Sequence, residues 1–520
     1  MAPVPLFEVP CQPDAPSEIV LRYHALVRSL QGGVVSRVVI IGGGLTGLSA
    51  AALLHARGAI GGKAEVVVLE SSQQLGGLSN SRGGTGRIFD QGPLGWGGSR
   101  GMQALLELLD LEHKVVSSAP VLDRLWLAPE EGAAVPLNFS ALARTRAVSP
   151  LVRCRAMVEP FVAAGTVDGD TSAGAFLARR FGPRFVQAVL GPMLRARFGT
   201  HPDGINLQAA LPLFWELGRN RQSVAVAATR GEVPWATLCV EALEHLQGRE
   251  HTESGGAAVL NSLPGGVGEL VHALTDILGE RVRTGVEVQA LERRRNRWLV
   301  HTDQGIHEAV SVVLACTGTA QAPLVSGLDP ELGELLRSIP YAPMAVVSGA
   351  WPAGAWGRAP SGMGMVYPLD GPVLASWFTT CLFPDHGPEG EVLVQTLLGG
   401  AEHADVVDRS DHELVELTRS ALLRSLGRER VEPLDHAVVR HRSALPLLRR
   451  GHLGRVRALR AAEARYAGLF FAGPHVYGTG IDHCTDGALQ TVNQVVSWIE
   501  SEASRKHPSG EFLLGAGRAG

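Results

Sequence analysis

The chain has 520 residues, too many for a single hydrophobic core and enough for two or three domains. Its 45% hydrophobic and 19% charged content describes an ordinary soluble globular protein. A net charge of −4 argues against a nucleic-acid partner, because phosphate binding leans on clustered positive charge. The cysteines (Cys11, Cys154, Cys239, Cys316, Cys381, Cys484) are scattered without paired spacing, so reduced thiols are expected and no metal framework. No apolar run reaches the ~18–20 residues needed to span a bilayer.

Residues 1–36 read as an arm, proline-rich to Pro16 and then a short helix over 19–30. The arm carries Glu8, Asp14 and Glu18, lacks a secretory-signal pattern and is poor in Arg before Arg22, so a cytoplasmic location is expected. From residue 37 a dinucleotide-binding unit begins. Val38 to Ile41 are consecutive branched apolar residues, the pattern of a fully buried strand. Gly42, Gly44 and Gly47 follow in G-x-G-x-x-G order and lead into an Ala/Leu-rich helical run over 48–56. The first glycine serves a tight turn, the second a close approach to pyrophosphate, the third helix-on-strand packing. Leu45 and Thr46 complete the set at the helix N-terminus, where free N–H groups favour an anion. A second strand over 65–69 ends on Glu70, 23 residues after Gly47, the place of a carboxylate that binds an adenosine ribose. Ser71 adjoins it. Gly76 and Gly77, then the turn Gly92-Pro93-Leu94-Gly95, offer further backbone N–H groups where a nicotinamide enzyme would continue into another βαβ unit.

An i, i+3, i+4 pattern at Leu105, Leu106, Leu109 and Leu111 predicts a helix over 102–114. The expected divisions are a first segment of the nucleotide domain at 37–101 and a helical insertion over 102–230. A second segment at 231–305 would be followed by a substrate-binding domain at 306–454 and a closing segment at 455–505, with a disordered tail at 506–520. Strands are predicted over 282–288, 298–301, 310–315, 345–348, 373–378 and 392–398, and a last helix over 485–500.

The stretch VVVLESSQQLGGLSNS at 66–81, FDQGP at 89–93 and LFFAGPHVYGTGIDHCTDGA at 469–488 together resemble the flavin amine oxidase superfamily, and within it the protoporphyrinogen oxidase branch. Glu159-Pro160-Phe161, Leu263-Pro264-Gly265-Gly266, Gly399-Gly400 and Gly451-His452 fall in that family's order, so the resemblance covers about residues 37–500. It implies an α/β fold (α+β overall). A Rossmann-type FAD-binding domain is assembled from discontinuous segments, with a mixed-sheet substrate domain and a helical insertion. It also implies non-covalent FAD, since Cys484 is not in the arrangement used for covalent attachment. By position in the family, Val288 is a backbone contact to adenine, and Gly473, Thr479, Gly480 and Ile481 meet the flavin end. A helix starting there would aim its positive end at reduced flavin. His475 and His483 flank the expected flavin edge and are read either as proton acceptors or as histidines that only pack or are solvated there.

Departures from the family bear on the substrate. After Gly92-Pro93 the first cation is Arg100, later than the family's basic residue. Trp96 suits a flat or apolar substrate or packs within its loop, and Phe378 either lines the pocket near the family's pocket-lining segment or serves the core of its strand. The family's Trp before Ala-Ile-Pro-Gln-Tyr is replaced in His441-Arg-Ser-Ala-Leu-Pro446. The expectation is an FAD-dependent oxidase or dehydrogenase that takes hydride equivalents from a C–H or C–N bond of a cyclic or apolar small-molecule substrate to flavin N5, in specialised metabolism. Protoporphyrinogen IX oxidation in heme biosynthesis is the alternative, and a non-redox flavin-dependent mutase a second one. O2 is the expected electron acceptor and a homodimer is compatible with the sequence. Arg144, Arg146, Arg153 and Arg155 among apolar residues of 142–161 are read either as a solvated helix face or as a peripheral membrane contact.

Overall fold

The computed structural model describes residues 36–58, 64–122, 124–129, 132–137, 148–162, 165–230, 260–356, 361–428 and 430–506. The expected arm helix, most of the tail, Arg144, Arg146 and the start of the second nucleotide-domain segment lie outside the described residues.

Two sheets organise the molecule. The first is parallel throughout, in the order Leu469–Phe471, Ser311–Leu314, Ser36–Ile41, Ala64–Glu70, Val282–Thr284. Its central strand explains the unbroken apolar run at 38–41. Val38 and Ile40 pack into one cluster with Leu48 and Leu54 of helix Leu45–Ala56 and Val492 of helix Ile481–Lys506. Val39 and Ile41 pack on the opposite face with Trp298, Val300, Leu324 and Leu336. A strand covered on both faces has no polar side, so its sequence does not alternate. Strand Ser311–Leu314 falls within the expected substrate segment at 306–454, yet pairs in parallel with the opening strand. The nucleotide domain therefore reclaims it, together with the following helices Gly318–Ser326 and Pro330–Arg337 that cover its face.

The second sheet has seven strands, ordered Asp435–Pro446, Tyr341–Pro352, Glu391–Gly399, Val373–Phe378, Gly364–Val366, Leu125–Leu127, Val135–Pro136. It is mixed, with one parallel pair between Gly364–Val366 and Leu125–Leu127. That pair recruits two strands from the segment expected to be mainly helical. Helix Asp411–Leu426 packs on one face through Leu414, Leu422 and Leu423. Helices of 173–229 pack on the other through Phe176, Val189, Leu194 and Phe214. Among these helices Glu159 and Arg180 form a buried ion pair at 2.7 Å. Glu159 also accepts from Ser223 and from the N–H groups of Val224 and Ala225, so one carboxylate caps helix Val224–Thr229.

Candidate active site

A cavity of about 460 Å³ runs between the two sheets. At one end its wall is the glycine turn. Gly42 has φ +115°, and a Cβ on it would lie 2.7 Å from the Cys316 nitrogen. On Gly47 a Cβ would fall 2.0 Å from the Gly42 carbonyl oxygen, inside the packed turn. Gly44 differs, with no atom within 4 Å of its would-be Cβ. The protein leaves that space open at the N-terminus of helix Leu45–Ala56, which has no side-chain cap. Uncapped N–H groups beside an open cradle fit a pyrophosphate. Glu70 is oriented at the strand end by accepting from Gly43 N–H at 2.7 Å and Ser72 N–H at 2.8 Å. Gly76 donates to the Gly43 carbonyl at 2.8 Å, which sets the second glycine loop against the first.

The third loop is held from two sides. Gln395 donates to the carbonyls of Asp90 (2.8 Å) and Gly92 (3.0 Å). Asp482, 1% exposed, accepts from the N–H groups of Gly97 (2.6 Å), Gly98 (3.0 Å) and Ser99 (2.8 Å). Asp486 takes the N–H of Gly101 at 2.6 Å. The first two turns of helix Ile481–Lys506 are thereby tied to the loop that frames the cavity, and Thr479, Gly480 and Ile481 stand on its wall.

Along the seven-stranded sheet the cavity is a mainly apolar chamber walled by Met344, Val346, Met363, Trp377, Leu382 and Leu397. Arg197, Tyr341, Gln395, His441 and Ser443 are its polar contributions. The Arg197 side chain is buried, with its guanidinium 4.6 Å above the Phe198 ring. The Tyr341 hydroxyl accepts from Gly318 N–H at 2.8 Å, and burial raises its pKa far above the usual phenol value. Burial likewise pushes the Cys316 thiol up to about 12, which keeps it protonated.

Most of the residues expected from sequence meet on this wall: Gly42, Gly44, Leu45, Thr46, Glu70, Gly76, Gly77, Gly92, Pro93, Leu94, Gly95, Thr479, Gly480 and Ile481. Gly47 and Gly473 support it from behind, Ser71 is exposed beside Glu70, and Val288 is half-buried in the strand Val288–Arg294, off the cavity wall. Other expectations are corrected. Trp96 is 1% exposed, exchanges backbone hydrogen bonds with Asn261 and packs with Met102 and Leu105 in the core. Arg100 opens helix Arg100–Leu109 and is exposed, off the cavity. Phe378 points into the cluster beneath helix Asp411–Leu426, and its neighbour Trp377 is the one at the chamber. His475 is fully buried and off the wall, and burial drives its pKa down to about 3. A sealed neutral ring exchanges no proton with a substrate in the cavity. His483 is half-buried against Gly478 on the first turn of the last helix, also off the wall. Arg197, Trp377, Gln395, His441 and Asp482 were not assigned to the site from sequence. A strand buried at every position hides which side Trp377 takes, and Asp482 reads in sequence only as a neighbour of His483.

Parallel sheet, glycine turn, acidic strand end and a chamber under a second sheet define a dinucleotide-dependent oxidoreductase fold. The family model for flavin-containing amine oxidoreductases matches residues 45–496, and the chain belongs to that family. It is similar to the coproporphyrinogen III oxidase of Propionibacterium freudenreichii, 28% identical over 487 residues that cover 88% of this chain and 90% of the relative. The coproporphyrinogen III oxidase of Bacillus subtilis is 26% identical over 89% of this chain and 98% of its own length. Among solved structures, a putative protoporphyrinogen oxidase from Exiguobacterium superposes with a TM-score of 0.71 at 20% identity, covering 90% of this chain and all of that one. A reduced UDP-galactopyranose mutase gives 0.65 at 15% identity, covering 91% of this chain and 98% of its own. The chain is an FAD-dependent oxidoreductase. No helix among the described residues is long and apolar enough to cross a membrane.

Proposed function

We propose that the enzyme oxidises a cyclic, mainly apolar substrate that carries a carboxylate, bound in the chamber between Trp377, Met344 and Leu397. The observation that carries this reading is one continuous cavity, with glycine loops at one end and apolar walls plus a buried Arg197 at the other. FAD, held by the glycine turn, Glu70 and the loops of 76–77, 92–95 and 479–481, with Val288 toward the adenine, would supply two-electron oxidation of the substrate by hydride removal. The chain's own residues bind and orient. The apolar wall excludes water, and Arg197 offers a permanent charge that anchors an anionic group and sets which edge of the substrate faces the loops.

A porphyrinogen, the substrate named for the relatives, has this chemistry, and Arg197 supports it. A cyclic amine or polyunsaturated metabolite is the second reading, supported by the exposed position of Arg100, which leaves the loop after Pro93 without a cation at the chamber. A sugar mutase receives less support, because Arg197 is the one cation and Tyr341 the one tyrosine among the described wall residues. The proposed electron acceptor is O2. Peripheral contact with an anionic bilayer is supported by Leu151, Met157 and Phe161, which are 76%, 62% and 90% exposed on helix Pro150–Met157 and the turn after it, next to the exposed Arg184.

Anaerobic mixing of the FAD-loaded protein with coproporphyrinogen III, protoporphyrinogen IX and cyclohexylamine tests the reading. Bleaching of the flavin by a porphyrinogen, with porphyrin fluorescence growing faster than without protein, supports the first substrate class. Bleaching by the amine alone supports the second, and a flavin left oxidised by all three overturns both.

A further inference from the structure

His441 is a histidine on the described cavity wall, and His475 and His483 are not. It lies on strand Asp435–Pro446, opposite Met344 of the adjoining strand. Its Nε2 is 2.8 Å from the carbonyl oxygen of Gln91, the residue before Gly92 and Pro93. A carbonyl can only accept, so Nε2 carries the hydrogen and the neutral ring keeps its lone pair on Nδ1. The unpartnered ring nitrogens of His386, His452 and His475 are sealed in protein, whereas Nδ1 of His441 is not among the sealed atoms and belongs to a residue of the open wall. Burial, partly offset by the Gln91 carbonyl, holds the His441 pKa below its ordinary 6.5, so the lone pair is available at neutral pH. Other groups on the wall do not offer this: Arg197 stays charged, Tyr341 and Cys316 stay protonated, and Glu70 is engaged with Gly43 and Ser72.

We infer that Nδ1 of His441 accepts the proton that the substrate loses as it is oxidised. This rests on the reading of the chamber as the substrate site. Bound FAD would be the two-electron oxidant that removes the substrate's C–H bonding pair as hydride. The N–H that loses its proton to Nδ1 is bonded directly to the oxidised carbon in an amine and conjugated with it through a pyrrole ring in a porphyrinogen. The N–H bonding pair stays in the oxidised substrate as part of its new C=N-containing system. His441 leaves the step as imidazolium and releases its proton to solvent. Gln91 fixes the tautomer and ties the ring to the loop that frames the flavin site.

The test uses the FAD-loaded full chain and His441→Gln, whose amide N–H can still reach the Gln91 carbonyl. With whichever of coproporphyrinogen III, protoporphyrinogen IX and cyclohexylamine the parent protein oxidises, kcat should fall about 10²–10⁴-fold, the range of a lost proton-transfer group, with KM and FAD content little changed. Added imidazole should restore part of the rate. A kcat within threefold of the parent overturns the inference and leaves His441 as a packing residue. Independently of any substrate, ¹⁵N NMR of histidine-labelled protein, with the His441 signal assigned by its loss in the variant, should show a neutral ring protonated on Nε2. A ring protonated on Nδ1 overturns the inference. No oxidation of any probe by the parent protein counts against the proposed substrate classes, and the NMR result then decides for or against His441 alone.

Discussion

Asp482 offers the sharpest perturbation. Its two carboxylate oxygens hold three backbone N–H groups, Gly97 on Oδ2 and Gly98 and Ser99 on Oδ1. In Asp482→Asn the remaining oxygen can keep Gly98 and Ser99, but the new NH2 then faces the Gly97 N–H, donor against donor. Hydrogen bonds to charged groups contribute about 1.5–3 kcal/mol each, so the Gly97 contact is lost at that scale. The other two weaken to about half when the acceptor becomes neutral. The total is about 3–6 kcal/mol, concentrated where the loop carrying Gly92 to Gly95 docks on the last helix. Because those residues line the cavity, a large share should appear in cofactor affinity, a weakening of up to about 100-fold for each ~3 kcal/mol. FAD titration of the stripped protein and thermal melts with and without FAD measure both parts. Unchanged FAD affinity together with an unchanged melting temperature would refute the argument that Asp482 clamps the loop.

Gly44→Ala should leave the melting temperature of the FAD-free protein unchanged, because its Cβ meets no protein atom, yet weaken FAD at least tenfold in titration. Gly47→Ala, with its Cβ 2.0 Å from the Gly42 oxygen, should instead disrupt the fold, visible as aggregation or a much lower melting temperature. Trp377→Ala should raise KM about tenfold or more and keep FAD, whereas Phe378→Ala should cost about 3–5 kcal/mol of stability by denaturant unfolding and leave KM alone. For Glu159, burial opposes its charge but Ser223, Arg180 and two backbone N–H groups outweigh it, so its pKa sits below the ordinary 4.5. The stability it confers is therefore full above about pH 4.5 and lost as pH falls through its folded value. Glu159→Gln should unfold about 3–5 kcal/mol more easily at pH 7 and show a shallower loss between pH 5 and 3. Phe161→Glu should reduce sedimentation with phosphatidylserine vesicles at least threefold without changing solution turnover.

The nucleotide half was legible because its chemistry is local. A buried strand, glycines at fixed offsets and a carboxylate at the next strand end lie within one short stretch, and Gly42, Gly44 and Glu70 stand where the spacing puts them. The chamber was not, because its residues meet only through tertiary packing. Strand Val373–Phe378 is buried at all its positions, so the alternation that would separate Trp377 from Phe378 is missing. Trp96 sits beside cavity-lining Gly95, but its backbone bridge to Asn261 turns the indole into the core. His475 shared its motif with wall residues, and burial alone, invisible in sequence, removes it from the chemistry. His441 was visible only as a departure from the family, and its partner Gln91 lies 350 positions away in the chain.

The most direct test of the whole account is the flavin itself. The purified protein should be yellow, and acid or heat denaturation should release about one FAD per chain into the supernatant. FAD that stays with the precipitated protein would contradict non-covalent binding, and a colourless protein that takes up no FAD would contradict the central claim.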